Sequence, residues 1–197
     1  VELFPLQLGV ERIVDVDPAG RALEVGLAFD GAEDVLEHGL DALVPVDDPI
    51  LEIPPMDVTE ETRQIAENIS ALVEDGTTIE VGIGRIPQAL LGFLKDKKDL
   101  GIHTEMISDR IVELVQAGAV NGSRKTVDRS KIVTSFCLGT KRLYEFIDNN
   151  PMFAFHPTEY VNDPHVISQQ HKMVAVNVAL EVDLTGQVCA DSIGSRF

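Results

Sequence analysis

The sequence predicts an α/β fold: an open, mostly parallel sheet with helices on both faces, preceded by a small acidic section. Three observations predict it. From residue 77 onward short β-branched runs alternate with amphipathic helical stretches, the pattern of strands joined by right-handed helical crossovers. The chain has 197 residues and is 44% apolar, enough for one large core or two small ones. Its charge is uneven, with 19 acids and 3 bases in residues 1–75 against 14 acids and 13 bases in residues 76–197.

In the acidic section, Ile13, Val14 and Val16, the turn Asp17-Pro18-Ala19-Gly20, and Ala22, Leu23, Val25 and Leu27 predict a hairpin, with a short helix starting at Asp30. The acids there read as a solvated face. Prolines clustered at Asp47-Asp48-Pro49 and Ile53-Pro54-Pro55 mark a linker or extended crossing, so the boundary falls at about residue 56, between sections 1–56 and 57–197. Asp57 and Glu60 form a capping pair for a helix that carries Ile65, Ile69, Leu72 and Val73 at helical spacing until Asp75-Gly76 ends it. A strand over 77–81 follows, then a helix opening near Pro87 and running through Leu90, Leu91 and Leu94. Next come a strand over 102–105, a helix over 108–118, a strand over 131–137, a helix over 140–147 and a strand over 152–155. Residues 173–184 and 187–190, across the turn Thr185-Gly186, read as a strand pair appended to the sheet.

A formal net charge of −17 leaves little Lys and Arg for a counterion-release surface, so neither nucleic acid nor an anionic membrane is an expected partner. Cys137 and Cys189 lie in apolar strand-like runs without CxxC spacing, as expected of reduced, buried thiols in a cytoplasmic protein. The first nine residues lack a basic and apolar leader, and no run of about 18 apolar residues occurs.

The sharpest local motif is Glu80-Val81-Gly82-Ile83-Gly84-Arg85-Ile86-Pro87. Two glycines after a strand let the chain turn tightly and expose backbone N–H groups, and Pro87 suits the first helical turn. This is a prospective anion or oxyanion cradle. Pro87 stands where the dinucleotide fingerprint has its third glycine, and no Gly-Lys-Ser/Thr of a Walker loop follows. The next strand ends at His103-Thr104-Glu105, and functional groups in open α/β sheets gather at the carboxyl ends of strands. Glu105 is therefore a candidate general base, metal ligand or nucleophile, or simply an ion-paired or helix-capping Glu. His103 with Glu105 mimics the H-x-E of zinc deaminases, but the Pro-Cys-x-x-Cys partner is missing. His38, His156, His165 and His171 show no metal-ligand spacing.

Three runs carry a family resemblance: Asp75-Gly76-Thr77-Thr78-Ile79 continuing into the glycine motif, Leu100-Gly101-Ile102-His103-Thr104-Glu105-Met106-Ile107-Ser108-Asp109, and Ala179-Leu180-Glu181-Val182-Asp183-Leu184-Thr185-Gly186-Gln187-Val188. With Glu159-Tyr160-Val161-Asn162-Asp163-Pro164 and Met173-Val174-Ala175-Val176-Asn177, they span about residues 57–197 in order. They resemble the acetyl-CoA hydrolase/transferase family of class I CoA-transferases, nearest its 4-hydroxybutyrate CoA-transferase branch. The resemblance implies Glu105 as catalytic nucleophile, attacking an acyl-CoA and passing CoA through a glutamyl-CoA thioester to a small carboxylic acid. It also implies acyl-CoA hydrolysis at the same Glu, or a non-catalytic CoA-binding domain, as alternatives. Gly82, Ile83, Gly84, Arg85 and Ile86 are implied to bind coenzyme A, with no metal required and a homodimer or larger assembly expected. Arg85 stands where many members carry Gly and offers a guanidinium to CoA or the acceptor. The sequence stops before the Gly-Gly segment that helps relatives hold CoA, so the resemblance implies a fragment of a longer protein.

Overall fold

A computed structural model of the chain describes residues 50–82, 84–190 and 192, together with the backbones of three strands ahead of them. Those strands are β1 (Arg12–Val16), β2 (Ala22–Leu27) and β3 (Ala42–Leu43). β1 pairs antiparallel with β2, as the hairpin pattern predicts, and with β3 on its other edge. The helix expected from Asp30 lies outside the described residues.

The elements that follow build the sheet that carries the site. Helix α1 (Glu60–Ser70) is capped by Thr59, whose hydroxyl accepts from Thr62 N at 3.3 Å, and not by Asp57. Thr59 is the residue whose extended backbone turns its side chain onto the first free N–H groups. The apolar spacing selects the right helix and half of its face: Val73 is 1% exposed and Ile69 packs against the core. Thr62 and Ala66 are buried beside them, while Ile65 is 43% and Leu72 77% exposed, on the side of α1 turned away from the helix it packs on.

Strand β4 (Thr78–Val81) leads into α2 (Arg85–Gly92), which opens two residues before Pro87. Proline is tolerated there because first-turn N–H groups have no intrahelical acceptor. Then come β5 (Gly101–His103), β6 (Met106–Ile107), α3 (Asp109–Gln116), β7 (Ile132–Thr134), β8 (Phe136–Cys137), α4 (Lys141–Ile147) and β9 (Phe153–Phe155). Two short helices, α5 (Thr158–Val161) and α6 (Pro164–Ser168), precede β10 (Met173–Val176). The main sheet has the order β10-β4-β5-β7-β9, and every neighbouring pair is parallel.

This order places the helices. Successive right-handed steps from β4 to β9 put α2, α3 and α4 on one face, and the return to β10 at the far edge puts α5 and α6 on the other. Contacts agree: α1 packs on α2, α2 on α3 and α3 on α4, while the carbonyl of Val161 in α5 meets the His103 ring from the opposite side. The core lies under α2–α4, where Ile79, Leu90, Leu94, Ile102, Ile111 and Leu143 are at most 1% exposed. Each such side chain contributes about 1.5–3 kcal/mol by leaving water.

Three expectations change. The strand expected over 102–105 ends at His103, with β6 beyond it, and that over 131–137 splits into β7 and β8; β6 and β8 pair with each other as a separate parallel two-stranded extension. The terminal strand pair is not one appended unit. Only β10 joins the sheet, whereas β11 (Glu181–Val182) and β12 (Val188–Cys189) form a separate antiparallel hairpin. Cys137 is buried and free, with burial pushing its thiol up to about 12. Cys189 is also free but only half-buried, because that hairpin is largely exposed.

Candidate active site

The two strand breaks follow from threonine chemistry. Thr104 Oγ1 accepts from Val81 N at 3.1 Å and donates to Val81 O at 3.0 Å, with Met106 O at 3.3 Å. One hydroxyl thus replaces a ladder residue and ties the end of β4 to the end of β5. Thr134 does likewise one strand over, reaching Glu105 O at 3.0 Å and Phe136 O at 2.9 Å. The Glu105 carbonyl also accepts from Ser135 N at 2.9 Å and Phe136 N at 3.1 Å. Two backbone N–H groups, with the Thr134 hydroxyl shared between the Glu105 and Phe136 carbonyls, therefore fix the backbone of Glu105 at the point where the sheet is interrupted.

Its side chain leaves toward the α5 face, where Asn162 Nδ2 donates to Glu105 Oε2 at 2.8 Å. Asn162 is held by the helix it ends. Tyr160 OH donates to Asp128 Oδ2 at 2.7 Å, and the His156 ring sits 4.6 Å from that of Tyr160. His103 Nε2 meets Val161 O at 2.8 Å. A carbonyl only accepts, so the imidazole carries its hydrogen on Nε2, leaving Nδ1 to accept from Gln170 Nε2 at 3.2 Å. Burial pulls the His103 pKa down and favours this neutral form.

The neighbouring strand supplies a second carboxylate. Glu80 is half-buried at the end of β4, and Asn177 Nδ2, just past β10, donates to its Oε2 at 2.9 Å. Burial raises the Glu80 pKa, and the negative charge of Glu105 adds to the rise. Gly82 makes this arrangement possible. A Cβ there would lie 2.1 Å from Asn177 Oδ1, so any side chain would expel Asn177 from Glu80.

The glycine motif and Glu105 thus share the carboxyl edge of β4 and β5, as the sequence predicts. One detail is corrected: the Gly82 N–H donates to Val176 O at 2.9 Å, which takes it out of any oxyanion cradle. Gly84 has φ +132°, a conformation that favours glycine, and caps α2 without a side-chain hydrogen bond. Arg85, exposed, and Ile86, half-buried, open the helix. Ile83 lies outside the described residues. On the helical face beyond Met106, a groove of about 280 Å³ is lined by Ile53, Met56, Gln88, Asp109, Arg110 and others. No helix among the described residues is long and apolar enough to cross a membrane.

Sequence reasoning did not find Asn162, Asn177, Glu80 or the two threonines as site residues. Both asparagines sit in stretches that carry the family resemblance, but no spacing relates them to Glu105.

The mostly parallel sheet with its covering helices, and the sequence that forms it, can be compared directly with known proteins. Residues 139–197 match the acetyl-CoA hydrolase/transferase C-terminal domain. The chain is 49% identical over 157 residues to a 4-hydroxybutyrate coenzyme A transferase of Clostridium kluyveri, covering 80% of this chain and 37% of that protein. It is 48% identical to a succinyl-CoA:cyclohexane-1-carboxylate CoA transferase of Geobacter metallireducens, covering 79% and 36%. Among solved structures, a 4-hydroxybutyrate CoA-transferase from Porphyromonas gingivalis superposes with a TM-score of 0.70 at 40% identity, covering 76% of this chain and 41% of that one. RipA from Yersinia pestis gives a TM-score of 0.73 at 38% identity, covering 77% and 35%. The chain belongs to the acetyl-CoA hydrolase/transferase family. It spans little more than a third of the length of these two curated relatives.

Proposed function

We propose that this chain contributes the nucleophile-bearing sheet of a CoA-transferase, which moves CoA from an acyl-CoA to a small carboxylic acid through a thioester on Glu105. The observation that carries the reading is the fixing of Glu105: two backbone N–H groups and a shared threonine hydroxyl on its carbonyl and one amide on a single carboxylate oxygen, leaving the other oxygen to attack. That oxygen adds to the thioester carbon, the C–S bond breaks, and a mixed anhydride and CoA thiolate result. The thiolate attacks the Glu105 carbonyl carbon and expels the acyl group as its carboxylate, leaving glutamyl-CoA. An acceptor carboxylate runs the same steps backward.

A carboxylate is a weak nucleophile toward a thioester, so the oxyanions formed need donors. The first-turn N–H groups of α2, at Arg85 and Ile86, have no intrahelical acceptor and no side-chain cap. One such donor supplies about 3–4 kcal/mol at the transition state. Contacts to the distant part of CoA add binding energy realised in the same step. Hydrolysis of the same thioester is the second reading, favoured by one observation, the Glu80 carboxylate on the same face.

The full-length protein incubated with an acyl-CoA is expected to show a CoA adduct, by mass spectrometry, on the peptide containing Glu105, and Glu105→Ala is expected to abolish turnover. Full turnover by Glu105→Ala would falsify the assignment.

A further inference from the structure

Two carboxylates meet at this edge, and the transfer chemistry uses one. The β4–β5 register, Thr78 with Gly101 and Ile79 with Ile102, sets Glu80 opposite His103. The contacts of His103 with Val161 and of Glu105 with Asn162 then place Glu105 on that same face. Each carboxylate is tied to one asparagine amide from a different loop. Among the described residues no Lys or Arg lies within ion-pair distance of either. The backbone is shaped to keep Glu80 there, since the missing Cβ of Gly82 is what admits Asn177.

We propose that Glu80 is the general base that delivers water to the thioester carried on Glu105, and so sets how much CoA is lost to hydrolysis instead of passing to an acceptor acid. The inference rests on Glu105 being acylated as described above. Acylation itself readies the base. Burial is the main cause of the raised Glu80 pKa, and while Glu105 is ionised its charge adds a smaller push in the same direction. Once Glu105 is a neutral thioester that repulsion is gone, and Glu80 ionises more readily and can accept a proton. Water then adds its oxygen to the Glu105 carbonyl carbon while one of its protons moves to Glu80. Collapse breaks the C–S bond, the thiolate leaves and takes the proton from Glu80, and the new carboxyl on Glu105 loses its remaining proton to solvent. An acceptor carboxylate at the same place meets the like charge of Glu80, whereas water does not, so the residue tilts the competition toward hydrolysis.

The test compares wild type with Glu80→Gln in the full-length protein; Gln keeps an oxygen for Asn177 to donate to. Both proteins are loaded with acetyl-CoA and desalted, and equal amounts of the Glu105 adduct are followed by mass spectrometry. In buffer alone the adduct is expected to decay at least about 10-fold more slowly in Glu80→Gln, the lower end of what a general base provides. Hydroxylamine, a neutral nucleophile that needs no base, is expected to discharge both at the same rate. Equal decay in buffer overturns the role of Glu80 alone, as does a slowing by hydroxylamine equal to that by water, which reports lost access. No adduct on Glu105 in wild type overturns the nucleophile assignment and the role of Glu80 with it.

Discussion

Lys125 is 3% exposed beneath the sheet that carries the site, and its Nζ donates to Ile102 O and Lys131 O, each at 3.0 Å. Its stem fills the space left by Gly101, where a Cβ would lie 2.5 Å from Lys125 Cγ. Burial pulls its pKa down to about 8, with Asp128 pulling weakly the other way. The folded protein therefore binds this proton less tightly than the unfolded chain. Below about pH 8 both states are charged and the fold carries the desolvation cost. Between about 8 and 10.5 the folded state sheds the proton first, so stability gains with rising pH, and above that range the gain is complete. In Lys125→Met, which keeps an apolar stem and cannot titrate, this gain should be missing. The stability difference between wild type and Lys125→Met is expected to move by about 3 kcal/mol in favour of wild type from pH 7.5 to 10.5, read from urea midpoints. Parallel pH profiles for the two proteins would refute a charged, desolvated Lys125.

Single elements were legible to different degrees. Apolar periodicity finds the main-sheet strands and the helices α1–α4, since those segments bury one face each and the pattern is local. It does not find the interruptions at Thr104 and Ser135, because a threonine in a β-branched run reads as more strand. What ends β5 is a hydroxyl bonded across to Val81, a contact between residues 23 apart. It also misses α5 and α6, each five residues or fewer, too short for a helical period to show. Thr104→Val tests the hydroxyl clamp at constant shape. It strands the buried Val81 N–H and removes the donor to Val81 O, which should cost about 2–4 kcal/mol in urea unfolding and lower Glu105 acylation, while Thr104→Ser should recover most of both. Stability unchanged in Thr104→Val would mean that the strand ends hold together without the hydroxyl.

At the scale of the molecule, the site is a product of strand order. Glu80, Glu105, Asn162 and Asn177 come from segments up to 97 residues apart, and they meet because β10 returns to the edge beside β4. No local pattern encodes that return, so the glycine turn and Glu105 could be read from the sequence while their asparagine partners could not. The same holds for the extended stretch before α1. Its prolines suggest a linker or an extended crossing but not what it crosses: Ile53 N donates to Gly139 O at 2.9 Å, Tyr144 OH donates to Leu51 O at 2.9 Å, and Glu52 Oε2 accepts from Lys141 N at 2.8 Å. These three bonds strap residues 51–53 over the start of α4 and across the groove beside Met106. At about 1 kcal/mol each, their loss predicts a difference between two shortened chains. A chain beginning at residue 50 is expected to be about 2–3 kcal/mol more stable to urea than one beginning at residue 57. Near-neutral replacement at the strap would instead give equal midpoints, and the physical edge of the α/β unit would then lie at residue 57.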